Sequence, residues 1–437
     1  MPRWRIYLVS QITIGLLFAI LTLISYATLG LLFFRLRFVN IANLRATPRP
    51  VIIAPNHKTF VDHFFILPAV IFANIKLLPV RTLAADWLFK KPALGWVLKN
   101  LLGAYPAQNG KGLRVSLREV LRILSKGYAV GIYPEGRISV RPGVRNRIRT
   151  GAAVLAKKTG SPILPVAIRG HEYLTLKDFF FGRRMITVLF GAPFTIAKQT
   201  DTAEAVRDIR SRLTHLYVYH SLKREWMRLF RNIGARGDAR KIFMNMYARY
   251  SEPHRKYHTA EHILFCLDTF KRVRHLAKNP DAVEAALLFH DFEYSTLPDA
   301  RNEKKSAVLF KQFADEMMLS DEFIWLVCAY ILASMRHESA NNDTRLFIDC
   351  DLAILGTDPE EFDEYERKIR EEFSHVPEKI FCLKRREILE RFLDQTGRPH
   401  IFLTEAFRNK YEERARSNLA RSIAALKKSP SINDGKI

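Results

Sequence analysis

Short apolar runs alternate with amphipathic segments along the first half of the chain. The runs have the length of strands and end in turns: PVIIAPN (50–56), YAVGIYPEG (128–136), SPILPVAIRG (161–170) and MITVLFGAPF (185–194). Between them, residues 111–127 and 150–160 have the spacing of helices that end at Gly127 and Gly160. This alternation predicts an α/β fold in which helices pack on a sheet.

The pattern changes near residue 222, where helical periodicity begins to dominate. Three segments read as amphipathic or buried helices: AVEAALLFHDFEY (282–294), EFIWLVCAYILASM (322–335) and KRREILERFLDQ (384–395). Strand signals nearly vanish. We therefore predict an α/β domain over residues 38–218 and an all-α domain over residues 222–437.

The N-terminal segment lacks charge from Ile6 to Phe34, a run of 29 residues. A helix crosses a bilayer core with about 20 apolar residues, so residues 1–37 are predicted to be a membrane anchor, as one span or a hairpin. A cleaved signal peptide is the alternative, but its apolar core has about 7–15 residues. Arginines on both flanks leave the orientation open.

The net charge of +25 is concentrated in the first half. Residues Met1–His215 contain 32 Lys and Arg against 9 Asp and Glu, a net charge of +23. A basic surface attracts nucleic acid or anionic lipid. The uncharged run and the absence of a nucleic-acid motif favour an anionic membrane and no nucleic acid. The four cysteines form no CxxC pair, which argues against a disulfide framework and a Cys-ligated zinc site.

Two predicted turns carry residues suited to chemistry. His57 and Asp62 follow the first run, and a carboxylate beside an imidazole is a general-base arrangement. Glu135, Gly136 and Arg137 follow the second run; arginine binds phosphate in a bidentate manner, and glycine lets an anion approach the backbone. The alternative is a histidine in a turn and an arginine on a solvated loop.

These motifs resemble those of a known family. NHKTFVD (56–62) resembles the NHx4D motif of the 1-acylglycerol-3-phosphate acyltransferase family, and YPEGRIS (133–139) resembles its second signature. The EGR form is similar to the acyltransferase half of bacterial 2-acylglycerophosphoethanolamine acyltransferases. PILPVAIRG (162–170) resembles the Pro-containing strand of the family, with Pro165 at the matching place. The resemblance covers roughly residues 36–215.

The resemblance implies acyl transfer from acyl-CoA or acyl carrier protein to the hydroxyl of a lysophospholipid. His57 would be the base and Asp62 the residue that orients it. The implied substrate-binding residues are Asn56, Lys111, Glu135, Gly136, Arg137 and Pro165. The implied location is a membrane, namely a bacterial inner membrane with the catalytic domains on its cytoplasmic side.

One departure from the family concerns the acceptor. Many members carry an arginine in a motif that corresponds here to GAYPAQNGK (103–111), where Lys111 offers a charge without bidentate geometry. A larger headgroup or a lysolipid without phosphate therefore stays open. The segment RPGVRNRIR (141–149) is expected to contact anionic lipid; a solvated loop is its alternative.

The second half contains histidines and aspartates in apolar settings. His254, His258 and His262 recur every four residues and would share one face of a helix, while His290 and Asp291 end an apolar segment. Asp349 and Asp351 lie in FIDCDLAILG (347–356). Burying a carboxylate is costly, and a cation would offset that cost. A ligand set of His and carboxylate suits Mn, Fe, Mg or Zn.

The spacing H…HD…D resembles the HD superfamily of metal-dependent phosphohydrolases over about residues 240–425. The resemblance implies a divalent metal ion with four ligands: His262, His290, Asp291 and Asp351. His258 resembles the general acid of the cyclic-nucleotide phosphodiesterase branch, although His258 or His262 could be the first ligand. Outer residues, or ligands of a second metal, would be Glu261, Asn302, Glu303 and His337.

Two functional hypotheses follow. In the first, the chain is a lysolipid acyltransferase with an attached metal-binding HD domain. In the second, phosphohydrolysis by metal-activated water is the main activity, and the N-terminal half is a lipid-binding platform. The complete motifs around His57 and Glu135 favour the first hypothesis.

Overall fold

The computed structural model divides the chain into two compact units, Met1–Tyr217 and Val218–Ile437. The structure describes residues 34–59, 62–85, 89–92, 95–96, 99, 104–107, 112–138, 143–144, 147–172, 184–297, 300–335, 341–394 and 399–428.

The first unit is built on a seven-stranded sheet. Its strands are β1 (Phe34–Val39), β2 (Val51–Pro55), β3 (Arg81–Ala85), β4 (Tyr105–Ala107), β5 (Ala129–Gly131), β6 (Ile163–Arg169) and β7 (Arg184–Phe190). They lie in the order β1-β7-β6-β2-β5-β3-β4, and the paired strands are parallel except for the antiparallel pair β6–β7. Strand β2 is therefore central, with parallel neighbours β6 and β5 on its two sides.

Helices cover the sheet: α1 (Ile41–Arg45), α2 (Asp62–Ala73), α3 (Gly112–Ser125), α4 (Gly151–Thr159) and the first part of α5 (Thr202–Asn232). Alternate residues of β2, such as Val51 and Ile53, pack against Phe65 and Val70 of α2 in one buried cluster. Every residue of β2 and β6 is buried, as expected for strands with both faces covered. The predicted α/β fold is confirmed for this unit.

Three strands were not predicted. β1 combines arginines with Leu36 and Phe38, which pack against the core two residues apart, as the period of a strand requires. Because residues 34–37 belong to the sheet, the predicted anchor cannot extend to residue 37. Residues 1–33 of that anchor lie outside the described part of the chain. Among the described residues, no helix is long and apolar enough to cross a membrane.

The described residues of the second unit form helices joined by turns and loops, with no strand among them. Its helices, after the remainder of α5, are α6 (Ala239–Arg249), α7 (Ala260–Phe270), α8 (Pro280–Phe289), α9 (Asn302–Glu316), α10 (Asp321–Ala333), α11 (Asn342–Leu352), α12 (Pro359–Glu372), α13 (Glu378–Leu393) and α14 (Glu405–Lys428). Helices α7, α8 and α11 pack against one another. Their contact places residues from three distant segments of the sequence around one point.

His254, His258 and His262 would share one face only if their segment were one helix, and it is not. Helix α7 begins at Ala260, so His254 and His258 lie in the turns that precede it. Pro253 cannot continue a helix from α6 because it has no N–H to donate. His258 still approaches His262, with 5.9 Å between ring centroids, because the turn folds back over the start of α7.

Candidate functional site

The loop after β2 joins an imidazole to a buried carboxylate. His57 Nδ1 lies 2.9 Å from Asp62 Oδ2. Asp62 begins α2 and also accepts the backbone N–H groups of Lys58 at 2.8 Å and Thr59 at 3.0 Å. The His57 side chain is 18% exposed, whereas that of Asp62 is fully buried. The predicted pair is therefore assembled, with the imidazole able to contact a ligand.

Hydrogen bonds keep the carboxylate ionised. Burial alone would raise the pKa of Asp62, but its contacts with the imidazoles of His171 and His57 outweigh burial and hold the pKa below its ordinary value. Because the carboxylate accepts the Nδ1–H of His57, the neutral ring keeps its lone pair on Nε2. The ring also stacks on Tyr133, with centroids 4.0 Å apart. This arrangement suits a general base that acts through Nε2.

Glu135 connects the second predicted loop to the first. Its Oε1 accepts the backbone N–H of His57 at 3.0 Å, and its Oε2 lies 3.7 Å from Lys58 Nζ. Both side chains are nearly fully buried. Burial raises the pKa of Glu135 and lowers that of Lys58, against their mutual attraction. The carboxylate of Glu135 therefore faces the His57 turn, and its predicted place in the phosphate site stays a prediction.

Gly136 and Arg137 follow directly. Gly136 has φ +64°, a conformation that favours glycine, and an added Cβ would lie 2.3 Å from Arg149 Cδ. The side chain of Arg149 thus crosses Gly136, and Arg149 N–H donates to Pro134 O at 2.7 Å. Arg137 and Arg149 are both exposed. The structure therefore adds Arg149, which we had expected at the membrane surface, to the candidate anion-binding residues.

Asn56 and Pro165 have structural contacts in the sheet, and their predicted substrate-binding role stays a prediction. The Asn56 amide donates to Ile168 O at 3.0 Å and accepts Ile168 N–H at 2.7 Å, so it fastens the end of β2 to β6. Pro165 is buried within β6, opposite Ala54 and against Gly191. Lys111, Arg141 and Arg145 lie outside the described residues.

His171 is a site residue that sequence reasoning missed. It follows β6 by two positions, and its fully buried Nε2 lies 3.2 Å from Asp62 Oδ1. The signal was present in RGHE (169–172), a histidine at the end of the third predicted strand. β6, β2 and β5 are adjacent and parallel. Their carboxyl ends therefore bring His171, His57 and Glu135 to one edge of the sheet, where such folds bind ligands.

A second cluster lies where α7, α8 and α11 meet. His262 Nε2 lies 3.1 Å from Asp351 Oδ1 and 3.3 Å from His290 Nε2, which is itself 3.0 Å from Asp291 Oδ2. Burial alone would raise the pKa of Asp351, but hydrogen bonds from His262 and His290 lower it. The structure thus brings together all four predicted metal ligands.

The donor atoms of this cluster fit a divalent cation. His290 Nδ1 donates to Leu287 O at 3.0 Å, so its Nε2 lone pair points into the cluster. Asp291 Oδ2 is buried and, within the described part of the chain, lacks a hydrogen bond of good geometry. Cys266, one turn after His262 on α7, forms a further possible ligand set with His262 and Asp351. That thiol was not expected in a metal site.

His258 is held beside the cluster by Glu372. Its Nδ1 lies 2.7 Å from Glu372 Oε2, and its ring stacks on Tyr294 with centroids 4.2 Å apart. Glu372 Oε1 also accepts three successive backbone N–H groups, those of residues 256–258. His258 is therefore fixed with Nε2 available, as a proton donor or acceptor requires.

Other residues expected near the metal have different partners. Glu261 pairs with Lys368 at 3.0 Å, and the Asn302 amide bonds the backbone of Ser295 in both directions. Asp349 accepts the backbone N–H groups of Leu403 and Thr404 just before α14, and these hydrogen bonds compensate its burial. Glu303 lies in the first turn of α9. His337 lies outside the described residues.

Comparison with known proteins finds similarity to acyltransferases within the first unit. Residues 35–169 match the family model described as Acyltransferase. A 1-acyl-sn-glycerol-3-phosphate acyltransferase, BAT2, chloroplastic, of Brassica napus is 25% identical over 132 residues, 30% of this chain. The match spans only 36% of the length of that relative.

A solved structure is also similar: the 1-acyl-sn-glycerophosphate (LPA) acyltransferase PlsC of Thermotoga maritima, at 22% identity and a TM-score of 0.37. The matched region covers 45% of this chain and 76% of the PlsC chain. This score is too low to support an inference. The family match ends at residue 169, so the HD resemblance of the second unit stays a prediction. Residues 35–169 are therefore similar to the family described as Acyltransferase, and a stretch of 132 residues of this chain is similar to a 1-acyl-sn-glycerol-3-phosphate acyltransferase.

Proposed function

We propose that the first unit transfers a fatty acyl chain from acyl-CoA or acyl carrier protein to the hydroxyl of a lysophospholipid at a membrane surface. The acceptor is 1-acylglycerol-3-phosphate or a related lysolipid. The observation that carries the proposal is the 2.9 Å contact between His57 Nδ1 and Asp62, beside the loop that bears Arg137. The family match and the net charge of +23 in this half also support it.

The reaction follows from the geometry of His57. Nε2 accepts the proton of the lysolipid hydroxyl while the oxygen attacks the thioester carbonyl. A carbon–oxygen bond forms, the carbon–sulfur bond breaks, and the thiol leaves with the proton that the imidazolium returns. Asp62 stabilises the imidazolium. The guanidinium groups of Arg137 and Arg149 would hold an acceptor phosphate through charge-assisted hydrogen bonds.

The test uses the full chain with labelled acyl-CoA or acyl carrier protein and a panel of lysolipids, with products identified by mass spectrometry. The substitution His57→Ala should lower the rate of product formation at least about 100-fold, because a positioned general base contributes at least that much. Thermal unfolding and vesicle association should not change. His215→Ala, at an exposed histidine of α5, is the control. An unchanged rate for His57→Ala would exclude the base assignment.

We further propose that the second unit binds a divalent metal ion, Mn, Fe, Mg or Zn, and hydrolyses phosphate esters. The convergence of His262, His290, Asp291 and Asp351 on one buried point favours this second function. A bound ion would supply an activated water for attack on phosphorus. His258, oriented by Glu372, can give a proton to the leaving oxygen.

Metal analysis of purified protein tests this proposal. Asp291→Ala should remove the metal that the unsubstituted chain retains, because it deletes a buried anionic ligand. Asp315→Ala changes an exposed acid of α9 and should retain the metal. Equal metal content in Asp291→Ala and the parent chain would overturn the site. Phosphomonoesters and cyclic nucleotides are the substrates to try, with His258→Ala expected to lose turnover and keep the metal.

A further inference from the structure

The carboxylate of Asp62 contacts two imidazoles, one on each oxygen. His57 Nδ1 lies 2.9 Å from Oδ2, and His171 Nε2 lies 3.2 Å from Oδ1. Asp62 and His171 both have fully buried side chains. The His171 contact has the distance of an ion pair, although its angle is poor for a hydrogen bond. Two imidazoles on one buried carboxylate exceed what a simple base and orienting partner require.

The two imidazoles reach Asp62 from different strands. The other partners of Asp62, the N–H groups of Lys58 and Thr59, belong to the same loop as His57. His171 instead follows β6, so its contact ties the loop after β2 to the neighbouring strand. Asn56 and Glu135 also tie this loop to its neighbours, but neither contacts the Asp62 carboxylate. The contact with His171 is the tie from β6 that acts on that carboxylate itself.

His171 is itself held in place. The adjacent Glu172 accepts Gly170 N–H at 2.8 Å and the Tyr217 hydroxyl at 2.7 Å. Burial alone would raise the pKa of Glu172, but the charge of His171 and the Tyr217 hydroxyl lower it. His171 therefore contacts the Asp62 carboxylate and precedes a residue, Glu172, that is fixed by hydrogen bonds of its own. Helix α5, through Tyr217, completes its support.

We propose that His171 is a positioning residue for acyl transfer: it fixes Asp62 so that Oδ2 stays on His57 Nδ1, and it shares the negative charge of the Asp62 carboxylate with His57. The inference rests on the proposed role of His57 as the base. His171 does not contact the substrate in this account; it acts through Asp62. Its loss should therefore change turnover and the pH profile, not substrate affinity.

The direction of the pH effect follows from charge. A proton-bearing imidazole on Oδ1 draws negative charge from Asp62, which then stabilises the His57 imidazolium less. Without His171 the imidazolium is favoured, so less base is available at a given pH. The acid limb of the kcat profile should move to higher pH. None of the variants substitutes the other titratable groups of this network, which are Lys58, His63, Glu135 and Glu172.

The experiment measures kcat, KM and the pH profile of acyl transfer in the full chain. His171→Met fills the space without a proton donor and should lower kcat about 10- to 100-fold, a part of what a positioned base supplies. KM for both substrates should stay within about twofold, and the acid limb should move to higher pH. His171→Gln retains an N–H near the position of Nε2 and should recover most of kcat. His215→Met, at an exposed histidine of α5, is the control for a histidine-to-methionine change away from the site.

The outcomes separate this inference from the proposed function. Activity in His57→Ala would overturn the base assignment and the inference with it. An inactive His57→Ala together with an unchanged His171→Met would overturn the inference alone. A purely structural role would lower the folded fraction of His171→Met and leave its acid limb in place, which also contradicts the inference. Equal kcat values for His171→Met and His171→Gln would also contradict the inference, because only glutamine retains an N–H near the position of Nε2.

Discussion

His57 and His258 hold their imidazoles in the same way, although their surroundings differ. Each donates Nδ1–H to a buried carboxylate, Asp62 at 2.9 Å and Glu372 at 2.7 Å. Each stacks on a tyrosine ring and is about one-fifth exposed, 18% and 22%. The carboxylate fixes the tautomer and the tyrosine fixes the plane, so Nε2 is left to react.

Glu372 allows a prediction at the scale of one residue. Burial alone would raise its pKa, but His258 and the backbone N–H groups lower it to about 2. A folded-state pKa below the unfolded value of about 4.3 means that the stabilisation is complete above that value and is lost as pH falls towards 2. Glu372→Gln should lower the free energy of unfolding at pH 7 by about 3 kcal/mol.

The measurement is urea unfolding of the full chain at pH 7 and pH 3. The deficit of Glu372→Gln should be smaller at pH 3, where the parent chain has lost part of the same stabilisation. Glu371→Gln is the control, because Glu371 is 47% exposed and pairs with Arg367 on the surface of α12. That pair is worth less than about 1 kcal/mol. A deficit that does not depend on pH would contradict the linkage.

At the scale of elements, three loops at the carboxyl ends of β6, β2 and β5 form the first site. The loop after β5 depends on Gly136, whose φ of +64° places the Arg149 side chain across it. Gly160 ends α4 with a similar φ of +67°, but an added Cβ there would meet nothing within 4 Å. Both glycines therefore need a positive φ, but only Gly136 has a side chain, that of Arg149, where a Cβ would lie.

This pair of glycines gives a matched test. Gly136→Ala and Gly160→Ala should each lower the free energy of unfolding by about 1 kcal/mol, the cost of a left-handed conformation with a Cβ. Only Gly136→Ala should raise KM for the lysophospholipid, because Arg149 must move away from Arg137. Equal KM values in the two variants would show that Arg149 does not help to bind the acceptor.

At the scale of the whole molecule, two units carry separate candidate chemistry. The first contains a strong positive charge and the acyltransferase family match, and the second contains the cluster of His and Asp. The variants proposed above test their independence: His57→Ala should keep the metal, and Asp291→Ala should keep acyl transfer. Loss of acyl transfer in Asp291→Ala without unfolding would mean that the units are coupled. Phosphate-ester hydrolysis by the full chain without any acyl transfer would favour the hypothesis that the first unit is a lipid-binding platform.

The sequence predicted strands β2, β5, β6 and β7 because each is a continuous apolar run. It missed β4 because three residues, Tyr105–Ala107, are too few to show a period. It missed β1 because arginines alternate with apolar residues beside the long uncharged run. Local pattern therefore identifies strands buried on both faces, and it fails where a strand is short or mixed.

Residue type and local spacing determined the candidates by themselves: His57 with Asp62 in one loop, and histidines and aspartates at the ends of apolar helices. Tertiary structure decided their partners. Glu372 lies 114 residues from His258, and Glu135 lies 78 residues from His57. Strand order and helix packing bring such groups together. A contact between distant segments depends on the path of the whole chain, so no local pattern encodes it.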